Sequence, residues 1–237
     1  MKRILISLIT LSCICCCSKN DNETTDMIPS DTWSSGDYTG NYMDMFIIPK
    51  EITLQYFADE YNSPSISIQP EMTEGKSEFF PYWEKNENKL KQYNAYAEYF
   101  GDTVYDGYHD MGLVEQVFAV PIKSISIVAN RDFDAEHPRG SNLGDVFSLQ
   151  YLSFYSFIKN GCKNGINNTI WPADSLSKLT EIKSISLFSW RGGTQINFDK
   201  LPEIPGKYTF TVTLDFGCDP LTGEKVTVPP ASIEIEF

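Results

Sequence analysis

The sequence predicts a mainly β protein whose body is one antiparallel β-sandwich. Three observations carry this prediction. Short stretches alternate apolar and polar residues, which is the pattern of half-buried strands. Turn residues separate these stretches at the intervals typical of sandwiches. The 237 residues also include 15 Phe, 13 Tyr and 4 Trp, a composition that favours strands.

The clearest strand lies near the C-terminus, where residues 208–216 alternate without a break between Gly206 and Gly217. Residues 148–158 are predicted to be extended as well. Pro229 and Pro230 interrupt the alternation and must reset its register. Shorter alternating stretches predict further strands at 52–56, 65–68, 117–120, 124–128, 184–190, 194–198, 226–228 and 233–237.

One segment has helical rather than strand spacing. Its apolar residues recur at intervals of three, four and seven positions, with Glu and Lys between them. The pattern predicts one helix near 82–99, with Pro81 in the first turn, where its missing N–H costs nothing. The apolar positions are Trp83, Leu90, Tyr93, Ala97 and Phe100.

The first residues predict export and a lipid anchor. Lys2 and Arg3 precede an uncharged run to Cys16, which is too short for a span of about 20 residues. Clustered cysteines replace an ordinary cleavage site, so the segment resembles a bacterial lipoprotein signal. The resemblance implies that residues 1–16 are removed and that Cys17 is acylated; Cys13 is the alternative acceptor.

Residues 17–40 are polar and without periodicity, and they predict a flexible acidic spacer. The stretch after Cys17 resembles the export signal of Bacteroidetes surface lipoproteins. That resemblance implies a location on the outer membrane, lipid-anchored at the cell surface, with the periplasmic face as the alternative. Residues 41–237 would then form the single folded domain.

Charge excludes one class of partner. The chain carries a net −13, and two of its cations, Lys2 and Arg3, belong to the signal, so the mature chain would carry −15. Such a chain repels nucleic acid. The partners that we expect are the membrane, through the anchor, and either a glycan or another envelope protein.

The mature body retains two cysteines, Cys162 and Cys218. An exported chain meets oxidising conditions, so the two can form a disulfide, which would stabilise the fold by about 4 kcal/mol. Two separate thiols are the alternative. With only His109 and His137 available to complete a ligand set, the sequence predicts no zinc site.

Catalytic and cofactor signatures are missing from the sequence. Neither a nucleophile elbow nor a phosphate-binding or dinucleotide-binding glycine motif occurs, and His109 and His137 both lie in segments with loop composition. Asp132, Asp134 and Glu136 could offer oxygen ligands to Ca²⁺, but the EF-hand spacing is not met and a solvated acidic turn is the preferred interpretation. We therefore predict no catalytic residues, no metal and no cofactor.

The best ligand-binding candidates are Trp190 and Arg191, next to a Gly-Gly turn. An aromatic face beside a loop can stack on a sugar while a neighbouring Arg bonds its hydroxyls, and Trp33 and Trp171 also lie near turns. The alternative is that each Trp packs into the core.

Two segments resemble known families. Residues 205–214 are similar to the penultimate strand of bacterial immunoglobulin-like domains, which implies that the predicted β-sandwich is immunoglobulin-like. Residues 125–147 resemble an uncharacterised family of Bacteroides lipoproteins, which implies fold and location but no activity. The resulting hypothesis is a non-enzymatic binding or adhesion module. The alternatives are a carboxylate-dependent glycan hydrolase and an accessory subunit of an outer-membrane uptake or fimbrial complex.

Overall fold

The computed structural model describes residues 40–58, 64–105, 115–162, 175–190 and 194–237, which all fall within one compact unit spanning 36–237. This part of the chain is mainly β, as predicted. Its helices are α1 (Glu87–Phe100) and α2 (Tyr155–Lys159). Its strands are β1 (Met45–Pro49), β2 (Ile52–Phe57), β3 (Ser65–Pro70), β4 (Ser77–Pro81), β5 (Gln116–Phe118), β6 (Ile122–Ala129), β7 (Phe147–Ser153), β8 (Ser175–Lys178), β9 (Phe188–Ser189), β10 (Gln195–Phe198), β11 (Lys207–Phe216) and β12 (Ala231–Glu236).

The strands form two sheets. The larger sheet has nine strands in the order β2-β3-β10-β7-β9-β5-β1-β4, with β8 also paired to β7, and the smaller has the order β12-β11-β6. Within the described residues, β1 and β5 form the one parallel pair among antiparallel ladders. The architecture is therefore consistent with a β-sandwich, although it is not antiparallel throughout.

The main core lies between the two sheets. Ile66 and Leu149 of the large sheet and Phe210 of the small sheet are fully buried in it. Phe147 packs against Phe198 with ring centroids 4.5 Å apart, and against Phe210 at 6.0 Å. Successive strand residues point to opposite faces. The alternating apolar residues of these strands therefore all point into this core.

A second core covers part of the opposite face of the large sheet. Phe46 and Val117 pack there against Tyr93 and Tyr96 of α1. Ile47, the next residue of β1, belongs to the core between the sheets. β1 is therefore apolar on both faces, so it lacks the alternation of a half-buried strand, which is why the sequence pattern did not predict it.

Local interactions set both ends of α1. The side-chain oxygen of Asn86 accepts hydrogen bonds from the backbone N of Asn88 (3.0 Å) and of Lys89 (3.3 Å), and Gly101 ends the helix with φ +80°, a left-handed conformation that suits glycine. The predicted helix is confirmed, but it begins later than expected. Pro81 ends β4 instead of lying in the first helical turn.

Several predicted boundaries were wrong. Of residues 184–190, only Phe188–Ser189 form a strand, and 226–228 contribute no strand. The extended stretch predicted at 148–158 ends at Ser153, after which α2 begins. Phe157 and Ile158 of α2 pack in the second core, so tertiary contacts outweigh their strand propensity.

Candidate functional site

Five neighbouring strands of the large sheet carry a surface rich in uncharged polar side chains, which we call the amide face. In antiparallel pairs, directly opposed residues point to the same side of the sheet. One row of opposed residues follows the register Gln55–Ser67–Gln195–Gln150–Leu176, and a second follows Phe57–Ser65–Asn197–Ser148–Lys178. These ten residues define the amide face.

The amide face continues the side of the sheet that the helices cover elsewhere. On β7, Ser148 and Gln150 belong to the amide face, and Leu152, the next residue of the same parity, packs in the second core. Leu149, between them, points to the core between the sheets. β7 is thus the boundary at which this side of the sheet changes from apolar and helix-covered to polar.

The side chains of the amide face differ in depth. Gln55 and Phe57 on β2 are exposed, while Gln195 and Asn197 on β10 are half-buried. Ser65 and Ser67, on the strand between them, are buried, because short side chains lie below the longer ones on neighbouring strands. The two serine hydroxyls therefore lie below the amide side chains of β2 and β10.

Charge on the amide face is confined to one end. Lys178, its only ionisable residue, lies 2.6 Å from a carboxylate oxygen of Asp199, and the Ser148 hydroxyl donates to the other Asp199 oxygen at 2.8 Å. Five further polar residues of the amide face lie on β2, β3 and β10. Among the described residues, none of them takes part in a side-chain hydrogen bond; they are Gln55, Ser65, Ser67, Gln195 and Asn197. These groups can both donate and accept, so they suit a hydroxyl-bearing ligand.

Trp190, one of the two predicted ligand-binding residues, lies elsewhere. It is half-buried and packs against the core between the sheets, with its indole nitrogen enclosed. A sugar platform needs an exposed ring face, so this placement favours core packing, the alternative. Arg191, together with Trp33 and Trp171, lies outside the described residues.

His137 is the centre of a charged network rather than a residue of a solvated loop. Its Nδ1 lies 2.7 Å from Oδ1 of Asp134, and its Nε2 lies 3.1 Å from both carboxylate oxygens of Asp145. Lys200 completes the network through contacts with Asp134 (2.9 Å) and Glu203 (3.1 Å). The network joins the loop before β7 to the loop between β10 and β11.

The network favours the charged forms of His137 and Asp134. The hydrogen bond to Asp134 raises the pKa of His137, burial opposes this, and Asp145 adds to the increase. Burial alone would raise the pKa of Asp134, but hydrogen bonds from Lys200 and His137 outweigh it and hold that pKa well below its usual range. Both ring nitrogens of His137 are engaged by carboxylates, so neither is available to act as a general base, and this geometry fits a structural role.

The acidic triplet is built into the same loop. Asp134 is buried and accepts from the backbone N of Glu136 (2.9 Å) and of His137 (2.8 Å), while Asp132 accepts from the backbone N of Arg139 at 2.7 Å. The preferred interpretation, a solvated acidic turn, was therefore wrong for Asp134. No cluster of three or more His, Cys, Asp or Glu that could hold a metal ion occurs among the residues that the structure describes.

Carboxylates also cluster at the start of β1. Asp102 is fully buried and accepts from the backbone N of Tyr42 (2.6 Å) and of Met43 (2.8 Å). Asp44 accepts from the backbone N of Glu115 at 2.7 Å. Burial, followed by the charge of Glu115, raises the pKa of Tyr42. Asp102 and Asp44 accept hydrogen bonds from backbone N–H groups, so a structural role explains their positions without the catalysis that the hydrolase alternative proposes.

The two cysteines of the body are separate thiols. Cys162 is buried in the second core next to α2, and Cys218 is exposed just after β11. The candidate disulfide is therefore not formed. Cys13, Cys17 and His109 lie outside the described residues. None of the helices in the described part is long and apolar enough to span a membrane.

Sequence reasoning missed the amide face, although a signal for it existed. The strands at 52–57, 65–70 and 195–198 alternate apolar residues with Thr, Gln, Ser and Asn, and none of their alternating polar positions carries a charge. Strands β11 and β12 place Lys, Asp and Glu at such positions. In a chain with 32 acidic residues, neighbouring strands without charged side chains indicate a surface whose function differs from that of the charged, solvent-facing strands.

Comparison of the chain with protein-family models, with curated proteins and with solved structures finds no match. The functional argument therefore depends on the residues and their geometry alone.

Proposed function

We propose that this chain is a lipid-anchored, non-enzymatic binding or adhesion protein of the cell surface, and that the amide face is its ligand-binding surface. The observation that carries the proposal is the pair of cross-strand rows defined above. They are almost free of charge, although the chain has a net charge of −13. The lipoprotein-like signal of residues 1–16, followed directly by Cys17, supports the anchored location.

A glycan is the ligand class that this surface favours. Sugar hydroxyls both donate and accept hydrogen bonds, as do the side-chain amides of Gln55, Gln195 and Asn197 and the hydroxyl of Ser67. The exposed ring of Phe57 (43% exposed) adds an apolar surface at the rim. An envelope protein is the other ligand class, and it would be expected to use apolar anchors as well as hydrogen bonds.

A glycan array tests the proposal directly. The chain from Ser18 onward, without acyl groups, should bind at least one glycan. A triple variant with Gln55→Ala, Gln195→Ala and Asn197→Ala should lose that binding while keeping its thermal unfolding temperature within a few degrees. The matched control carries Thr209→Ala, Thr213→Ala and Ser232→Ala on the small sheet and should bind normally. If the array shows no binding, or if both variants bind alike, the amide face is not a glycan site.

Metabolic labelling tests the anchor separately. Cells that express the full chain and receive a labelled fatty acid should yield labelled protein. Cys17→Ser should abolish the label and Cys13→Ser should retain it. Label that persists in Cys17→Ser but is lost in Cys13→Ser would move the anchor to Cys13, and no label in the parent chain would contradict a lipid anchor.

A further inference from the structure

We propose, on the basis of the function just proposed, that the ligand of the amide face is an uncharged glycan chain that runs across the strands. Its sugars would follow the row Gln55–Ser67–Gln195–Gln150. Charge, hydrogen-bonding capacity, spacing and the apolar ends of the row each support the inference.

The first argument is electrostatic. An anionic glycan, bearing carboxylates or sulfates, needs unpaired cations on the protein. The one cation of the amide face, Lys178, already pairs with Asp199 at 2.6 Å. The net charge of −13 also repels an anionic polymer at long range. An uncharged glycan meets neither obstacle.

The second argument is hydrogen-bonding capacity. Gln55 and Gln195 each offer a carbonyl oxygen and an NH₂ group, and Ser67 lies between them in the register with a hydroxyl. Each of these groups is neutral and can act as donor or acceptor. They can therefore match hydroxyls in either orientation, which is what a neutral sugar presents along its length.

The third argument is spacing. Neighbouring strands lie about 4.8 Å apart, close to the length of one pyranose unit in an extended chain. Successive sugars can therefore meet successive strands along the row. The four polar members span about 14 Å, so the site suits an oligosaccharide of about four residues rather than a single sugar.

The fourth argument concerns the ends of the row. On the β2 side, Gln55 is exposed and Phe57 stands next to it on the same face. On the β8 side, the row ends at Leu176, which is 68% exposed. Apolar side chains at each end can contact the C–H faces of the outer sugars, while the amides bind the hydroxyls of the inner ones.

Affinity electrophoresis of the mature chain tests this inference. The probes are cellulose-type, xylan and mannan polymers as neutral glycans, with polygalacturonate and dextran sulfate as anionic ones. At least one neutral polymer should retard the protein, equally at about 0.01 M and about 1 M salt, since no charge pair is involved. The anionic polymers should not retard it at either salt concentration.

Two variants connect binding to the row. Replacing both Gln55→Ala and Gln195→Ala should weaken binding at least tenfold, and the paired control Thr209→Ala with Thr213→Ala should leave it unchanged, with the folding of both verified by thermal unfolding. Tetrasaccharides of the retarding polymer should compete at least tenfold better than the disaccharide, as the length of the row requires.

The outcomes separate this inference from the function that it rests on. Salt-sensitive binding to anionic polymers alone, abolished by the double variant, would overturn the uncharged ligand and leave the amide face as a glycan site. Equal competition by the disaccharide would overturn the cross-strand arrangement. No retardation by any polymer, or retardation that the double variant does not change, would overturn the inference together with the glycan function.

Discussion

Oδ1 of Asp134 lies 2.7 Å from Nδ1 of His137, and this contact holds together the loop before β7, which lies beside a second loop that follows β10. Asp134 is buried and also bonds Lys200, which belongs to the second loop. A backbone hydrogen bond from Glu203 to Phe133 (3.0 Å) joins the same two loops. The network therefore fixes one end of the fold by charge as well as by packing.

His137 should make stability depend on pH. Its pKa is raised in the folded state, so its contribution is complete below about 6.5, the ordinary histidine value, and is lost as pH rises through the raised value. His137→Gln should lower the free energy of unfolding by about 1–2 kcal/mol at mildly acidic pH, and the difference should shrink in alkali. Urea titrations over a pH series measure it. Glu136→Gln, an exposed neighbour, is the control, and a loss that is constant with pH would contradict the prediction.

The contribution of Asp134 to stability should depend on pH in the opposite sense. Its pKa is held low in the folded state, so its contribution is present above about 3.9 and is lost as pH falls through the depressed value. Asp134→Asn should therefore destabilise the protein at neutral pH and make little difference in strong acid. The same urea titrations measure this. Asp145→Asn, at the exposed end of the network (59% exposed side chain), should cost less, and an equal cost would argue against Asp134 as the centre.

The N-cap of α1 gives a local prediction. Asn86→Ala removes the acceptor for the backbone N–H groups of Asn88 and Lys89 and should lower stability by about 1 kcal/mol. Denaturant unfolding followed by circular dichroism measures the change. Asn88→Ala, an exposed position within the helix, serves as the control and should be neutral or slightly stabilising. If both variants were equally stable, the cap would contribute nothing.

The two faces of the large sheet should respond differently to truncation. Phe147→Ala opens a cavity among Phe133, Phe198 and Phe210 and should cost about 3–5 kcal/mol. Phe57→Ala, on the amide face, removes a ring that is 43% exposed and should cost far less. Comparable losses of unfolding free energy for the two variants would contradict the assignment of Phe57 to an open face.

The thiols predict a labelling pattern. Cys218 is exposed and should react with iodoacetamide in the native protein, whereas the buried Cys162 should react only after unfolding. Peptide mapping without reductant measures both and would also detect a bond between them. A linked Cys162–Cys218 peptide from freshly exported protein would show that oxidation changes the arrangement described here.

The alternating strands were predictable because their signal is local. β2, β3, β10, β11 and β12 each place the apolar residues of an alternating stretch on the face toward the core, and the resulting period of two is visible in sequence. β1 and β4 were missed for a different reason. Phe46 and Ile47 are buried on opposite sides of the sheet, so the alternation disappears wherever both faces are covered.

The candidate site was predictable only in part. Trp190 and Arg191 were chosen because an aromatic residue beside a turn can be exposed, and Trp190 instead packs on the core. The amide face draws on β2, β3, β7, β8 and β10, of which the first two are separated from the others by more than 70 residues of chain. Its residue types are visible in the sequence, whereas their adjacency depends on the strand order.

The sequence by itself determined the mainly β class, the single long helix and the strand faces that enter the core, because each follows from the period of side chains along one element. Only the tertiary structure decided which strands became neighbours, that Asp134 and His137 would be buried together, and that the uncharged residues of five strands would form one surface. Those features depend on contacts between distant segments, and such contacts produce no periodic pattern of residues in the sequence.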